Sequence, residues 1–271
     1  MPRLLSRLRE ERSRSQLQLV WRLAQRQVSM RYKESALGLT WSIVAPLFLL
    51  GVYSIVYGVI FQPRWTAPDG SEAPFALYIF SGIIAFTLFA EIVTTATSLI
   101  QTNATLIKRT TVSARVLPIS SSLSSLFTFA LSTIPFLVMY AIMVGVPPWT
   151  IVLAPVLLAP LWILCTGLSF LVSAVGAYFR DLQQVVPLLT TAVLFLSPVF
   201  YPEDALPESI RPVVLALSPI GVILPASKDL LFYGELPPAV PLVAYTAFAC
   251  GVLALGWWVY GKASRGFADV V

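Results

Sequence analysis

Apolar residues fill most of this chain in long runs, and short polar segments separate one run from the next. Six runs are candidates for membrane-spanning helices, because a helix needs about 20 apolar residues to cross about 30 Å of hydrocarbon. These runs cover residues 41–61, 75–100, 123–146, 151–178, 185–200 and 240–260. A further apolar stretch, residues 213–224, is too short to cross and is interrupted by prolines. The pattern predicts an all-α membrane protein with six transmembrane helices and a re-entrant or interfacial hairpin between helices five and six.

A segment with helical periodicity precedes the first run, between Gln16 and Lys33. One face of this segment is apolar and is formed by Leu17, Val20, Trp21, Ala24 and Val28. An Arg-rich face opposite an apolar face with a Trp is typical of an amphipathic helix in the membrane interface. This helix either anchors the chain to anionic headgroups or serves as a gate or docking element beside the first span. Its defining residues are Trp21, Arg22, Arg26, Arg31 and Lys33.

The composition agrees with a membrane protein, since 57% of the 271 residues are hydrophobic and only 11% are charged. Soluble domains are nearer 45–50% apolar and about 25% charged. These values exclude a soluble enzyme, a secreted disulfide scaffold and a disordered chain. Cys165 and Cys250 lie within apolar runs and are expected to be small buried hydrophobes. The sequence contains no His, so we expect neither a metal site nor a catalytic residue.

The distribution of basic residues predicts the orientation of the chain. Fifteen of the 18 Lys and Arg residues lie in the N-terminal region, the loop after the second run, the turn after the fourth run and the tail. Cytoplasmic loops carry such an excess, which places both termini in the cytoplasm. The net charge of +5 is therefore a mark of topology. We expect one domain with a cytoplasmic N-terminal region (residues 1–40), a six-span bundle (residues 41–260) and a cytoplasmic tail (residues 261–271).

Polar side chains interrupt the second span at helical spacing. Thr87, Glu91, Thr94 and Ser98 recur at i, i+4, i+7 and i+11, and Glu91 is a charged residue at a depth where charge is costly. Two interpretations are open. The four residues line a hydrated polar vestibule that opens toward the cytoplasm, or Glu91 makes a structural hydrogen bond to a neighbouring helix.

Aromatic side chains also recur within the spans. The first span carries Tyr53, Tyr57 and Phe61, the second carries Phe86 and Phe89, and the fifth carries Phe195 and ends in Phe200 and Tyr201. Such residues commonly form belts that face lipid or the interface. The alternative is a channel lined with rings, which would stack weakly and repeatedly on the C–H faces of sugars.

A partial match to a phosphate-binding loop near the C-terminus fails on two counts. Gly256, Gly261 and Lys262 have the required spacing, but Ala263 replaces the Ser or Thr that holds magnesium. The segment also follows an apolar span, whereas the motif requires a preceding strand. We therefore expect no cofactor in this chain, and any ATP-driven work requires a partner subunit.

Several motifs together resemble one family, the permease subunits of type 2 ABC exporters for polysaccharides and polyol phosphates. The entry to the first span is similar in RYKESALGLTW at residues 31–41, followed by Pro46 and Leu47. The first cytoplasmic loop is similar in NATLIKR at residues 103–109 and RVLP at residues 115–118. The fifth span resembles the family in FRDL at residues 179–182 and SPVFY at residues 197–201, and the tail does so in FADVV at residues 267–271.

This resemblance implies a permease of the bacterial cytoplasmic (inner) membrane that forms a homodimer and pairs with two copies of an ABC ATPase subunit. ATP and Mg would bind the partner, and the cargo would be a lipid-linked polysaccharide such as O-antigen, capsular glycan or a teichoic-acid-like polymer. The family's channel lies at the dimer interface between spans one and five, which strengthens the case for Tyr53, Tyr57, Phe61 and Phe195 as ring contacts. The N-terminal helix would flank a lateral substrate portal.

The resemblance also assigns a coupling helix to the first cytoplasmic loop, with candidate ATPase contacts at Leu106, Lys108, Arg109 and Arg115. The family often has an aromatic-Pro pair before the basic residue of this loop, whereas this chain has Val112, Ser113 and Ala114 there. A homodimer is also expected on physical grounds, because six spans can hardly enclose a conduit for a hydrated sugar chain.

Two other functions remain open at this point. The same architecture exports drugs, lipids or peptides in other proteins, and that function would require a tighter interface at the aromatic residues. A membrane-embedded glycosyl- or phosphotransferase would require paired acids, and Glu203 and Asp204 are adjacent in a proline-flanked turn. A solvated loop on the outer face explains this pair better.

Overall fold

The computed structural model describes residues 2–33, 36–61, 75–109, 113–201, 206–211, 214–215 and 218–270. These residues are all-helical. The long helices are α1 (Pro2–Tyr32), α2 (Trp41–Ile55), α3 (Phe75–Ala96), α6 (Val116–Met143), α7 (Ala154–Gly176), α8 (Leu182–Leu196) and α10 (Ala239–Ala263). Shorter α-helices lie between and after them, among them α4 (Leu99–Thr102), α5 (Ala104–Arg109), α9 (Ile223–Lys228) and α11 (Phe267–Val270). Single π-helical turns extend α2 through Val56–Phe61 and α9 through Asp229–Tyr233.

Five stretches of the described chain are long and apolar enough to cross a membrane. They are Gly38–Ile55, Phe75–Ala96, Val116–Met143, Trp149–Gly176 and Ala239–Gly266. Their positions agree with predicted spans one, two, three, four and six. The predicted fifth span coincides with α8, which has 15 residues and falls below the length that crossing requires. It ends early because Ser197 adopts an extended conformation before Pro198, and a residue that precedes proline disfavours the helical conformation.

Helix α3 is the centre of the bundle. Side chains on every side of it are buried, and α2, α6, α7, α8 and α9 all pack against it. A mostly apolar helix is suited to such a position, since most of its faces have a partner, and the exposed Thr87 lies on the face that carries the polar residues. The largest hydrophobic cluster joins α3 to α7, α9 and α10.

Helices α7 and α10 form the closest helix pair. A Cβ atom on Gly167 would lie 2.7 Å from the backbone nitrogen of Leu253, and one on Gly256 would collide with the Gly167 carbonyl oxygen. Small residues at helix contacts let two backbones approach closely, which is how helices associate where the hydrophobic effect contributes little.

Helix α1 packs along α6. Ala24 and Val28 are buried in this contact, whereas Leu17 and Trp21 are 67% and 55% exposed. The apolar face that the periodicity predicts is therefore divided. Its later residues pack on protein, and its earlier residues remain uncovered.

Candidate functional site

An aromatic cluster joins α2 to the end of α8, and it consists of Tyr53, Tyr57, Phe75, Phe195 and Phe200. Tyr53 and Tyr57 stack with ring centroids 6.1 Å apart, since residues four apart lie on one helix face. Tyr57 contacts the ring of Phe75 at 5.6 Å. Phe200 contacts Tyr53 at 6.5 Å and Phe195 at 5.7 Å, so its ring connects the two helices.

The turn after α8 positions Phe200. The Ser197 hydroxyl lies 2.6 Å from that of Ser218 and also donates to the Val193 carbonyl, while Val199 is fully buried. The Tyr201 hydroxyl donates to the Leu196 carbonyl at 2.8 Å. The chain is thereby folded back on the end of α8, and the Phe200 ring is directed toward α2.

Part of the aromatic cluster is exposed at the surface of the chain. Phe195 is 65% exposed, and Tyr53 and Tyr57 are partly exposed. These three predicted channel residues are therefore brought into one cluster. The side chain of Phe61 lies outside the described residues. Phe200 was predicted to end the fifth span but not to line the channel, and its linking position depends on a turn that periodicity does not reveal.

Phe86 and Phe89 do not share this position. They are 7% and 4% exposed and belong to the hydrophobic cluster between α3, α7 and α9. The prediction that they line a channel is corrected here, because the surrounding helices cover the α3 face that carries them.

The polar stripe on α3 contacts the N-terminal helix. The Arg31 guanidinium on α1 donates to the Glu91 carboxylate at 2.5 Å and to the Thr128 hydroxyl on α6 at 3.2 Å. One arginine therefore links α1 to both α3 and α6. The Arg31 and Glu91 side chains are 34% and 20% exposed, so the pair lies at the edge of the bundle. The alternative in which Glu91 contacts a neighbouring helix is the arrangement observed.

A cavity of about 280 Å³ adjoins this pair. It lies between α2, α3 and α6, and Thr87, Glu91, Thr128 and Ser132 give it a polar side. The Thr87 and Thr94 hydroxyls donate to carbonyls of their own helix, Ile83 and Ala90, which is how threonine is usually satisfied inside a helix. Ser98, which N-caps α4, does not line this cavity. The predicted vestibule is thus divided, with its first two residues at a cavity and its last two away from it.

The predicted coupling residues separate into three groups. Lys108 on α5 is exposed, and Leu106 packs against a cluster that includes Leu99, Phe170 and Phe267. The Arg115 guanidinium stacks 4.5 Å from the ring of Trp257 on α10. Arg115 therefore contacts the bundle through Trp257, and its role as an ATPase-coupling residue stays a prediction. The side chain of Arg109 lies outside the described residues.

Helix α10 contacts the end of the loop that carries the predicted coupling residues. The Tyr260 hydroxyl on α10 donates to the Ala114 carbonyl at 2.9 Å, and its ring lies edge-on to Phe267 at 5.2 Å. Helix α11 in turn packs against α5. Loop and tail therefore form one packed unit.

The remaining predicted gate residues are on the surface. Trp21, Arg22, Arg26 and Lys33 are exposed, whereas Arg31 is engaged with Glu91 and Thr128. Glu203 and Asp204 lie outside the described residues. Within the described ranges, no group of three or more Cys, Asp or Glu side chains is arranged to hold a metal ion.

A bundle with five stretches that are long and apolar enough to cross a membrane is that of a multi-pass membrane protein. The chain belongs to the ABC-2 type transporter family, whose pattern matches residues 18–232. The family resemblance inferred from the sequence motifs is confirmed.

Three relatives span nearly the whole chain. The O-antigen export system permease protein RfbA of Myxococcus xanthus is 29% identical over 251 residues, which is 92% of this chain and 94% of that protein. The RfbA protein of Klebsiella pneumoniae is 24% identical and covers 92% of this chain and 93% of its own length. The polysialic acid transport protein KpsM of Escherichia coli is 23% identical, with 87% and 89% covered.

Proposed function

We propose that this chain is the permease subunit of an ATP-driven exporter that moves a lipid-linked polysaccharide across the bacterial inner membrane. The observation that carries the proposal is the end-to-end similarity to permeases named for O-antigen and polysialic acid transport. The aromatic cluster supports it, because rings bind the C–H faces of sugars without fixing one sugar in place. The chain itself performs no chemistry.

The proposed topology has six spans with both termini in the cytoplasm. Helix α8, at 15 residues and about 22 Å, crosses the greater part of the bilayer, and the turn through Tyr201 completes the fifth span. Helix α9 is part of the re-entrant hairpin. Helix α1 lies in the interface, where the exposed Leu17 and Trp21 contact lipid. Residues 1–40, 41–260 and 261–271 form the three parts of a single transmembrane domain.

The proposed assembly contains two copies of this chain and two copies of an ABC ATPase that binds ATP and Mg. Helix α5 docks into the ATPase, with Lys108 and Arg109 at its end as contacts. Because α5 packs against α11, movement of the docked ATPase is transmitted to the cytoplasmic end of α10. The substrate passes between α2 of one copy and α8 of the other, along Tyr53, Tyr57, Phe195 and Phe200. The ion pair of Arg31 and Glu91 holds α1 beside the portal.

Reconstitution tests the function directly. The chain and its partner ABC ATPase are placed in proteoliposomes, and ATP turnover is measured with and without lipid-linked glycan. We expect glycan to stimulate turnover and to appear on the far side of the membrane. Stimulation by drugs or simple lipids, with none by glycan, would instead identify an exporter of the alternative class.

The docking assignment has its own test. Lys108→Glu reverses an exposed charge on α5, and we expect co-purification of the ATPase to fall while the permease still reaches the membrane. Arg22→Glu, on an exposed residue of α1, is the matched control. Unchanged co-purification of Lys108→Glu would place the docking surface elsewhere.

A further inference from the structure

Lys228 is a charged residue in the interior of the bundle. It ends α9, and only 4% of its surface is exposed. Burying an ammonium group is costly unless polar or aromatic partners replace its water. Two of its partners lie in the described part of the chain. Its Nζ atom donates to the Pro198 carbonyl at 3.2 Å, and it lies 3.8 Å from the centre of the Tyr78 ring, a cation–π distance.

These two partners adjoin opposite ends of the aromatic cluster. Pro198 is two residues before Phe200, in the turn that directs this ring toward Tyr53. Tyr78, on α3, stacks on Phe75 at 5.9 Å, and Phe75 begins the contacts that pass through Tyr57 to Tyr53. The contacts therefore form a closed loop, in which Lys228 connects Tyr78 to Pro198.

The turn needs such a support. Pro198 lies beyond the end of α8 and is buried, so its carbonyl requires a donor from elsewhere in the fold. Lys228 supplies this donor from a residue 30 positions later in the chain. A neutral side chain of the same length would fill the space but could neither donate to the carbonyl nor attract the ring.

We propose that Lys228 is a positioning residue for the aromatic cluster: it fixes the turn that carries Phe200 against α3, and so sets the spacing between α8 and α2. The inference rests on the proposed function, because the cluster matters for transport only if it contacts the glycan. It adds a residue outside the cluster on which the geometry of the cluster depends. The side chain acts through Pro198 and Tyr78 and does not itself touch the substrate.

A cross-linking experiment tests the geometry without reference to transport. Cysteines replace Tyr53 and Phe200 in a chain whose Cys165 and Cys250 are changed to Ala, and a short thiol cross-linker joins positions 53 and 200. Adding Lys228→Met should lower the cross-linking yield by roughly ten-fold, the order of effect of losing one charged hydrogen bond. Lys262→Met is the matched control, since Lys262 also lies 3.8 Å from an aromatic ring but is exposed at the far end of α10.

Transport is measured separately in chains that keep Tyr53 and Phe200. Lys228→Met should reduce glycan-stimulated ATP turnover several-fold while basal turnover and co-purification of the ATPase are retained, and Lys228→Arg should recover part of the loss. Unchanged cross-linking in Lys228→Met overturns the proposal, and so does normal stimulation despite reduced cross-linking. Absence of glycan stimulation in the unmodified chain would reject the proposed function, whereas the cross-linking result would still decide the geometry.

A second variant covers the case in which Lys228→Met fails to assemble. Tyr78→Leu keeps the ammonium group and its bond to Pro198 but removes the ring beneath the charge. We expect it to assemble, because leucine suits this buried site, and to lower cross-linking between positions 53 and 200. Cross-linking equal to that of the unmodified chain would overturn the proposal.

Discussion

Tyr57 is the residue that most directly tests the proposed substrate path. Its ring contacts Tyr53 and Phe75, so Tyr57→Ala removes two ring pairs worth about 0.5–1.5 kcal/mol each. If the cluster contacts glycan, the loss slows export, and we expect a decrease of roughly three- to ten-fold. The measurement is the initial rate of glycan export at matched amounts of protein in the membrane.

Phe248→Ala is the control for this prediction. Phe248 is an aromatic residue of α10 that is 62% exposed and lies apart from the cluster. We expect this variant to export at the unmodified rate. If Tyr57→Ala also exports normally, the cluster faces lipid and the belt interpretation is correct.

Single residues also show where sequence reasoning reaches its limit. The spacing of Tyr53 and Tyr57 on one helix face could be predicted, because four residues make about one turn. Phe86 and Phe89, three residues apart, also share one helix face, but they are buried. Lys228 is one of the three basic residues outside the predicted cytoplasmic segments, yet it lies inside the fold. Its partners Tyr78 and Pro198 are distant in sequence, so local pattern carries no signal of them.

At the scale of elements, the tie between α1 and the bundle depends on Arg31 and Glu91. Arg31→Glu or Glu91→Arg alone places like charges together, whereas the double exchange restores an opposite pair. For a pair this exposed, we expect a coupling free energy of about 0.5–1 kcal/mol in the double-mutant cycle. The readout is thermal unfolding of the purified protein. Each single variant should unfold a few degrees lower, and the double variant should recover most of that loss.

Arg22→Glu makes the same charge change on α1 at an exposed position and should leave the unfolding temperature unchanged. A double variant that is no more stable than the singles would show that the contact contributes nothing as a pair. Stability would then come from the packing of Ala24 and Val28 on α6.

The contact between α7 and α10 leads to a prediction about glycine. Gly256→Ala would place a Cβ against the Gly167 carbonyl and Phe170, so the helices must separate and lose packing. We expect destabilisation of about 1–3 kcal/mol, typical of overpacking. Gly251→Ala is the control on the same helix, because its Cβ would meet open space. That variant should be neutral or more stable by about 0.5–1 kcal/mol, since alanine is the better helix former. Equal unfolding temperatures for the two variants would contradict the close approach.

The elements were predictable in number and position more than in burial. Five of the six expected spans have a counterpart of sufficient length, because a long apolar run has few stable structures other than a membrane-spanning helix. Which helix is central was not predictable. Lipid and protein interior are equally apolar, so α3, at the centre, and α2, largely exposed, have similar compositions.

At the scale of the whole molecule, one copy of the chain offers no passage through its described part. The centre is filled by α3 and its buried neighbours, and the cavities between helices each measure about 280–420 Å³. A polysaccharide requires a continuous path. The surfaces of α2 and α8 remain apolar and exposed on either side of the aromatic cluster, with Phe48 at 73% and Leu188 at 72%. A second copy of the chain would cover this surface and supply the opposite side of the substrate path.

This argument makes a direct prediction about assembly. Leu188→Cys, in a chain with Cys165 and Cys250 changed to Ala, should form a dimer on treatment of membranes with a thiol cross-linker. The unmodified chain is the control, since its exposed Cys250 lies on α10, away from the proposed interface. We expect its cross-linked dimer to be scarce. The reverse result, with dimers through Cys250 and none through position 188, would move the interface to α10. The aromatic cluster would then face lipid, and the substrate path would have to be sought on another face.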